Sequence, residues 1–560
     1  MKSVLEMTWK MKSFPERLIL KKKQDHNISY LLSQTFLNKN YTDEEIYTSL
    51  INENLYDLTY QNEDFELAGK YFLESTKEDN KILIFGDYDV DGYCSTYLLY
   101  DFITNLKIKC DYYIPNRFKD GYGPNLKLLK KLIDKNKYSL ILFVDCGSNS
   151  IDEINYLEKK NLKTIIIDHH QIYKKKKLIK TVIINPLKNF DKNYSSNFCA
   201  TTLVYFFLKY LNDKLTKEKK INFNKYLFFS AIATICDQMP LRHLNKRIVK
   251  KGLNYFNYYN FKKILNLNNR ISSSDIAFNL GPILNSPSRL GDSNITIKFL
   301  TEENEKKIYK ISDKLITINE KRKKIQNKTF NLIKQSTEII KDEVIFKYEK
   351  NINEGFLGII AANFVEKYNK PCFILTNSNN KLKCSSRSIY GFDIGKIFNE
   401  ALLKKIIDKG GGHARAGGCT LDLSKLFEFK KFLNDIYKKK FSKLENVKYY
   451  TSEQNFESLK SFFKNDLQKL EPLGNDNQSP FFLIKKNKII KTKVIKDLHL
   501  QILIKNNNKT CLCFAFNSVG TKVGEILMNY KNHVDLIVQI NNKNDKKNSD
   551  FKLIIKDIIV

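Results

Sequence analysis

No apolar run in this 560-residue sequence is long enough to span a bilayer. The opening residues, MKSVLEMTWKMKSF, also lack the apolar stretch of a secretory signal. A soluble, cytoplasmic protein is therefore expected. Cysteine occurs ten times but never with C-x2-C spacing, and only Cys511 and Cys513 stand close together. That argues against a zinc ribbon and fits a reducing compartment. Histidine is scarce, at seven, which makes the adjacent pair His169 and His170 conspicuous. Acidic residues are in deficit, 61 against 95 Lys plus Arg, for a net charge of +34. Such a balance suits a polyanionic partner. However, Lys, Asn, Ile, Phe and Tyr are abundant everywhere, and a compositional bias accounts for the charge equally well. The run Lys174 to Lys177 reads as readily as a solvated loop.

What is present concentrates on one stretch, Ile82 to Leu99 (ILIFGDYDVDGYCSTYLL). Its apolar start reads as a buried strand, broken at Gly86 and followed by carboxylates on alternate residues, Asp87, Asp89 and Asp91. Gly92 then turns the chain into a helix-like segment. Acids at the carboxyl end of a buried strand stand where open α/β sheets build their sites. Three like charges this close repel one another unless a cation neutralises them, and oxygen ligands suit magnesium or manganese. An acidic turn is the plainer explanation for this stretch alone. Three further apolar runs read the same way. Leu140 to Val144 leads into Asp145, Thr164 to Ile167 into Asp168, His169 and His170, and Ala231 to Cys236 into Asp237. A parallel sheet would gather these strand-end acids at one edge, and Asp-His-His closing a buried strand points to a metal site.

These residues resemble a known family. GDYDVDG, VDCGSN, DHH and ATICDQMPL are similar to the four motifs of the DHH phosphoesterase superfamily, and GGGHARAGG (Gly410 to Gly418) resembles its associated substrate-binding domain. Order, spacing and length are most similar to the family's single-stranded-DNA-specific exonucleases. The resemblance implies a two-metal enzyme degrading single-stranded DNA from the 5′ end to 5′-mononucleotides, in recombination and repair. It assigns Asp87, Asp89, Asp145, His169 and Asp237 as ligands of two Mg2+ or Mn2+ ions, with Asp145 bridging. Asp168 would orient the histidines, His170 would meet the scissile phosphate, and Asp91 would support the ligands. Arg289, Ser385, Ser386, Arg387, Gly411, Gly412, His413 and Arg415 are the implied substrate-binding residues. A helicase and a single-stranded-DNA-binding protein are the implied partners. Nothing demands a dimer, and a monomer is expected.

The sequence departs from the family pattern in three places. Ile283 stands where the GPRLNAAGRL segment has its first arginine, Ile352-Asn353 replaces a Trp-His pair, and Asn197 to Leu203 (NFCATTL) carries threonines in place of glycines. Two other readings follow from these departures and from the domain's breadth of use: a DHH phosphoesterase of short oligonucleotides or cyclic dinucleotides, and a binding protein that has lost catalysis.

The chain is too long for one core. Residues 1–52 read as a helical lead-in packing on the first domain, with a helix start at Thr42-Asp43-Glu44-Glu45. Residues 53–300 alternate strands and helices as an α/β catalytic domain with a parallel sheet. Ile308, Ile311, Leu315, Ile318, Ile325 and Leu332 recur at helical spacing and predict a long amphipathic helix over 301–340. Residues 341–447 form the associated α/β domain. Residues 448–560, with short β-like runs, form a β-barrel of OB type whose aromatics and lysines suit nucleic acid.

Overall fold

The computed structural model describes residues 3–5, 7–51, 58–76, 80–172, 178–188, 197–215, 221, 223–256, 261, 264, 271–335, 342–378, 380–441, 447–529, 533–541 and 551–559. The lysine run 174–177 lies outside these. The chain divides into two compact units: Asp57–Met239 with Leu244–Ser442, and Met1–Tyr56 with Pro240–His243 and Lys443–Val560.

The first unit opens on a five-stranded sheet: β1 (Lys81–Phe85), β2 (Lys109–Tyr113), β3 (Leu140–Val144), β4 (Lys163–Ile167) and β5 (Thr181–Ile184). The order is β2-β1-β3-β4-β5 and every pairing is parallel. The central strands β1, β3 and β4 are buried on both faces along almost their whole length. That is why they read as continuous apolar runs rather than as alternating ones. Helix α1 (Val90–Asn105) leaves the end of β1. Gly92 is required there, because a Cβ would come within 2.4 Å of the Asp87 carbonyl oxygen.

The run Ala231–Cys236 is not a strand. It is the last half of helix α3 (Asn224–Cys236), which follows α2 (Ala200–Lys214). Tyr226 to Ile235 are buried all the way round α3. A helix surrounded by protein shows no polar face, so its sequence cannot be told from a buried strand by periodicity. Asp237 therefore reaches the site from a helix C-terminus.

Helix α4 (Gly281–Arg289) precedes the long helix α5 (Glu305–Gln335), which meets the amphipathic expectation with one difference. Ile308, Leu315 and Ile333 are buried, while Leu332 is 60% exposed and off the stripe. The associated domain follows with β6 (Ile345–Tyr348), α6 (Glu354–Tyr368), β7 (Cys372–Ser378), β8 (Lys381–Arg387), α7 (Ile394–Leu403), β9 (Lys409–Gly412) and β10 (Ala416–Leu421). Its sheet order is β9-β10-β8-β7-β6, parallel only between β6 and β7.

In the second unit β11 (Phe482–Ile495), β12 (His499–Asn506), β13 (Lys509–Ala515), β14 (Val534–Ile540) and β15 (Leu553–Ile559) run in the order β11-β12-β13-β15-β14, and β14 pairs back to β11. This is a closed five-stranded barrel of OB type, with helix α8 (Lys522–Asn529) before β14. The N-terminal helices belong here: Ile28, Leu32, Phe36, Tyr41 and Ile46 share a core with the barrel's Phe482, Ile502 and Leu536. The expected packing of the lead-in on the first domain is thus replaced by packing on the C-terminal domain. Trp9 is latched the same way, its indole N–H donating to Asp557 Oδ2 at 2.8 Å. Among the described residues no helix is long and apolar enough to cross a membrane.

Candidate metal centre and anion face

The ends of β1, β3 and β4 and the end of α3 deliver their acids to one place. Asp87, Asp89 and Asp145 can each offer an oxygen with all three within 4.8 Å of one another, and Asp91 and Asp237 can do so together with a ring nitrogen of His169. Asp145, His169 and His170 make a third such set, so Asp145 is common to two of them. His169 Nε2 lies 3.3 Å from Asp145 Oδ1, 3.4 Å from Asp237 Oδ2 and 3.7 Å from Asp91 Oδ2. Asp145 sits at a φ of 59°, a left-handed conformation that an Asp tolerates better than most residues.

Two kinds of acid are mixed here. Asp91 is saturated: Ala200 N–H donates to Oδ2 at 2.7 Å, while Thr201 N–H and Thr201 Oγ1 donate to Oδ1 at 2.8 and 2.6 Å. It thereby fixes the start of α2, and Thr201, one of the threonines that stand in place of glycines, serves this anchoring. Asp89 spends Oδ1 on the N–H groups of Asp91 and Gly92, capping α1. By contrast Asp87 Oδ1, Asp145 Oδ1 and Asp237 Oδ2 are buried with no hydrogen-bond partner. Burial, and then the charge of Asp89, pushes Asp87 up to about 8. Burial and the neighbouring aspartates raise Asp145 and Asp237 as well. At about 4 Å and an effective dielectric near 20, each like-charged pair costs about 4 kcal/mol. Aspartate oxygens and one imidazole, converging without internal partners, fit a hard divalent cation.

Asp168 is fully provided for. It accepts from the N–H groups of Ser148, His169 and His170, and its Oδ1 lies 2.7 Å from His170 Nδ1. It orients the ring of His170 and only the backbone of His169. Burial would raise its pKa, but His170 holds it well below the usual carboxylate range. Burial opposes protonation of His170, yet Asp168 carries it up to about 9. Burial and His170 depress His169.

Across from the acids stands a positive face. The ring of His413 stacks on His169 and His170, with centroids 5.9 and 5.4 Å apart. Burial and the two histidines bring its pKa down to about 4. Arg289 donates to the Gly355 carbonyl at 3.0 Å, and burial together with Arg117 and Arg387 lowers it to about 9. Asn353, which replaces the family's histidine, caps α6 by accepting from Gly355 N–H, while Ile352 enters the core and Ile283 is buried. Ser385 and Arg387 share one face of β8, where both would abut a Cβ at Gly358. Ser386 points the other way, is fully buried and donates to the Gly417 carbonyl, so strand alternation separates it from the other two. Gly411 and Gly412 lie in the β9–β10 ladder rather than in an open loop. Gly412 has a φ of 152°, and a Cβ would meet the Ala416 carbonyl at 2.3 Å. Arg415 is exposed in the turn beyond.

Sequence reasoning missed Arg117, Tyr122 and Asn185. The Arg117 guanidinium lies 4.2 Å from the Tyr88 ring centroid, and its Nε is buried without a partner. The Tyr122 hydroxyl is 3.4 Å from the Asp145 carbonyl and from His170. Asn185 braces the His170 carbonyl and Ser148 Oγ. The one available signal was a basic and aromatic loop, Asn116 to Gly123, following β2.

Comparison with known proteins agrees. Residues 81–234 match the model of the DHH family, N-terminal domain, residues 341–439 the DHHA1 domain, and residues 452–557 the RecJ OB domain. The chain thus carries a DHH-family domain over residues 81–234, followed by DHHA1 and RecJ OB domains. Within that family it resembles RecJ. It is 25% identical over 511 residues to the single-stranded-DNA-specific exonuclease RecJ of Bacillus subtilis, covering 87% of this chain and 62% of that protein. Identity to RecJ of Haemophilus influenzae is 26% over 393 residues, 66% of this chain and 68% of that one. The crystal structure of RecJ in complex with Mn2+ from Thermus thermophilus shares the fold, with a TM-score of 0.82 at 18% identity over 99% of this chain and 80% of that chain. The chain thus spans 62% of the length of the Bacillus relative.

Proposed function

We propose that this protein is a metal-dependent nuclease that hydrolyses single-stranded DNA from the 5′ end to 5′-mononucleotides, in the cytoplasm and in recombination and repair. The observation that carries this reading is the set of three buried carboxylate oxygens without partners, on Asp87, Asp145 and Asp237, facing a cluster of histidines and arginines. Asp87, Asp89, Asp145, His169 and Asp237 would hold two divalent cations, Mg2+ or Mn2+, with Asp145 shared. When bound, such ions lower the pKa of a water and stabilise the departing oxygen.

The remaining roles fall to the chain's own groups. Asp91 fixes α2 against the ligands. Asp168 holds His170 by Nδ1, leaving Nε2 to carry a proton to the leaving oxygen. Arg289, Arg387, Ser385, His413 and Arg415, with Arg117, receive phosphate oxygens; guanidinium forks suit that geometry. Arg387, Arg415 and His413 sit on the associated domain, Arg289 on α4 and Arg117 on the loop after β2, so the strand would run between the associated domain and the parallel sheet. A single strand is the substrate; a helicase and a single-stranded-DNA-binding protein are the expected partners of a monomer.

The test is an end-resolved assay with Mn2+ or Mg2+ and a 5′-labelled strand. The wild type should release labelled mononucleotide, and Asp145→Ala should lose turnover by at least about a thousandfold while still binding the strand. Unchanged turnover in that variant removes Asp145 from the site. Cleavage of dinucleotides alone points to a small-substrate phosphoesterase, and binding without cleavage to a scaffold.

A further inference from the structure

Tyr390 is 88% exposed, yet the backbone that carries it is anchored. It is the first corner residue of a tight turn, Ile389 to Phe392, in which Phe392 N–H donates to the Ile389 carbonyl at 3.4 Å. Gly391 follows it with a φ of 88°, the geometry of a type II turn. Phe392 is 1% exposed and Ile389 packs against the same core, so both flanks of the turn are anchored. Ser388 Oγ closes the loop further by donating to the Phe392 carbonyl at 2.7 Å. The ring between these anchors is held out into solvent by the fold.

The turn also has a direction. Ser388 N–H donates to the Arg415 carbonyl at 2.9 Å, and Ile394 N–H to the Ala414 carbonyl at 3.0 Å. These bonds stitch it to the turn that carries His413 and the exposed Arg415. Tyr390 lies three residues beyond Arg387, a reach of about 10 Å at most. An exposed aromatic ring on a turn that is anchored beside the strand carrying Arg387 and the turn carrying Arg415 suits an unpaired nucleotide, base on ring and phosphate on arginine.

We propose that Tyr390 stacks on a base of the bound single strand, outside the nucleotide being cleaved, and so positions the strand and selects for length. The proposal rests on the single-strand nuclease reading and names a contact within it. A rigid turn makes the contact cheap in entropy, because the ring has no loop to order on binding.

The test uses the full chain and strands carrying 2-aminopurine at successive positions from the 5′ end, in Ca2+ to hold off hydrolysis. Wild type and Tyr390→Trp should quench the probe at one interior position, and Tyr390→Ala should not. In Mn2+, Tyr390→Ala should raise KM for a 20-mer by roughly fivefold or more, the size of one lost base stack, with kcat little changed and KM for a dinucleotide unaffected. Quenching that survives in Tyr390→Ala, or a KM that Tyr390→Trp fails to restore, overturns the proposal. Position-specific quenching in a protein that cleaves nothing would sink the nuclease reading and leave this contact standing; cleavage without Tyr390-dependent quenching does the reverse.

Discussion

The two compact units both bury acids, but among the described residues only the first leaves some of their oxygens without partners. In the unit built on the barrel, Glu45 is 3% exposed and Asp557 fully buried. Glu45 accepts from Nε and Nη2 along one edge of the Arg242 guanidinium, at 2.5 Å each, and from the Thr42 N–H at 3.0 Å. Asp557 takes Trp9 Nε1, Ser3 Oγ and the Ile558 N–H. Burial would raise Glu45, but Arg242 outweighs it and the net shift is downward. At the sheet edge Asp87 and Asp145 are as deep, and each keeps an oxygen without a donor while its pKa moves upward. Removing charge from water costs several kcal/mol per ion and is offset only by partners. A chain that supplies partners so thoroughly in one place, and withholds them in another, leaves the second place for a counter-charge from outside.

The sharpest way to break that contrast is Glu45→Gln. The variant keeps the acceptor for Thr42 but strands Arg242. Unfolding in urea should show a loss of about 3 kcal/mol in the transition of that unit, the low end for a broken buried pair because Arg242 remains 21% exposed. A loss below about 1 kcal/mol would mean the pair is dispensable. Mn2+ should matter at the other place. At about a hundred times its dissociation constant it should add about 2.7 kcal/mol of stability. In the Asp87→Asn, Asp145→Asn, Asp237→Asn triple variant that response should vanish, while the metal-free protein should be no less stable than wild type, since the repulsion is gone. A triple variant that still shifts with Mn2+ would place the cation elsewhere.

Much of this arrangement was legible in the sequence because it obeys local rules. Strand ends at Phe85, Val144 and Ile167 announce their acids, since strands in a parallel sheet are apolar throughout. The helix start at Thr42-Asp43-Glu44-Glu45 was equally readable, and a helix begins there with Thr42 as its cap. What could not be read depends on contacts far apart in the chain. Asp237 looked like a strand-end acid because a helix buried on all sides hides its period. Ser386 looked like Ser385 until β8 set them on opposite faces. Strand β11 runs fourteen residues where only short β-like runs were visible, because lysines face solvent along most of it. The embrace of Glu45 by Arg242 spans 197 residues of sequence, and no local pattern announces it.

Lys39 gives the smallest and finest test of the same contrast, with the sign of charge reversed. Its Nζ is bonded to Asn477 Oδ1 at 3.2 Å and to the Gln478 carbonyl, which are neutral acceptors. Burial, and then the nearby Arg242, bring its pKa from an ordinary 10.5 down to about 7. Folding therefore releases a proton that the unfolded chain retains, and between about pH 7 and 10.5 the unfolded state binds more protons. Stability must climb with pH across that window, by at most about 1.4 kcal/mol per pH unit. Glu45 contributes no slope there, because a carboxylate held low loses its contribution only as pH falls through its folded value. Lys39→Met should flatten the climb measured by urea unfolding between pH 7 and 9, and leave the Mn2+ response intact. A climb that persists in Lys39→Met would assign it to another group and show that this unit, too, tolerates a buried charge it has not paired.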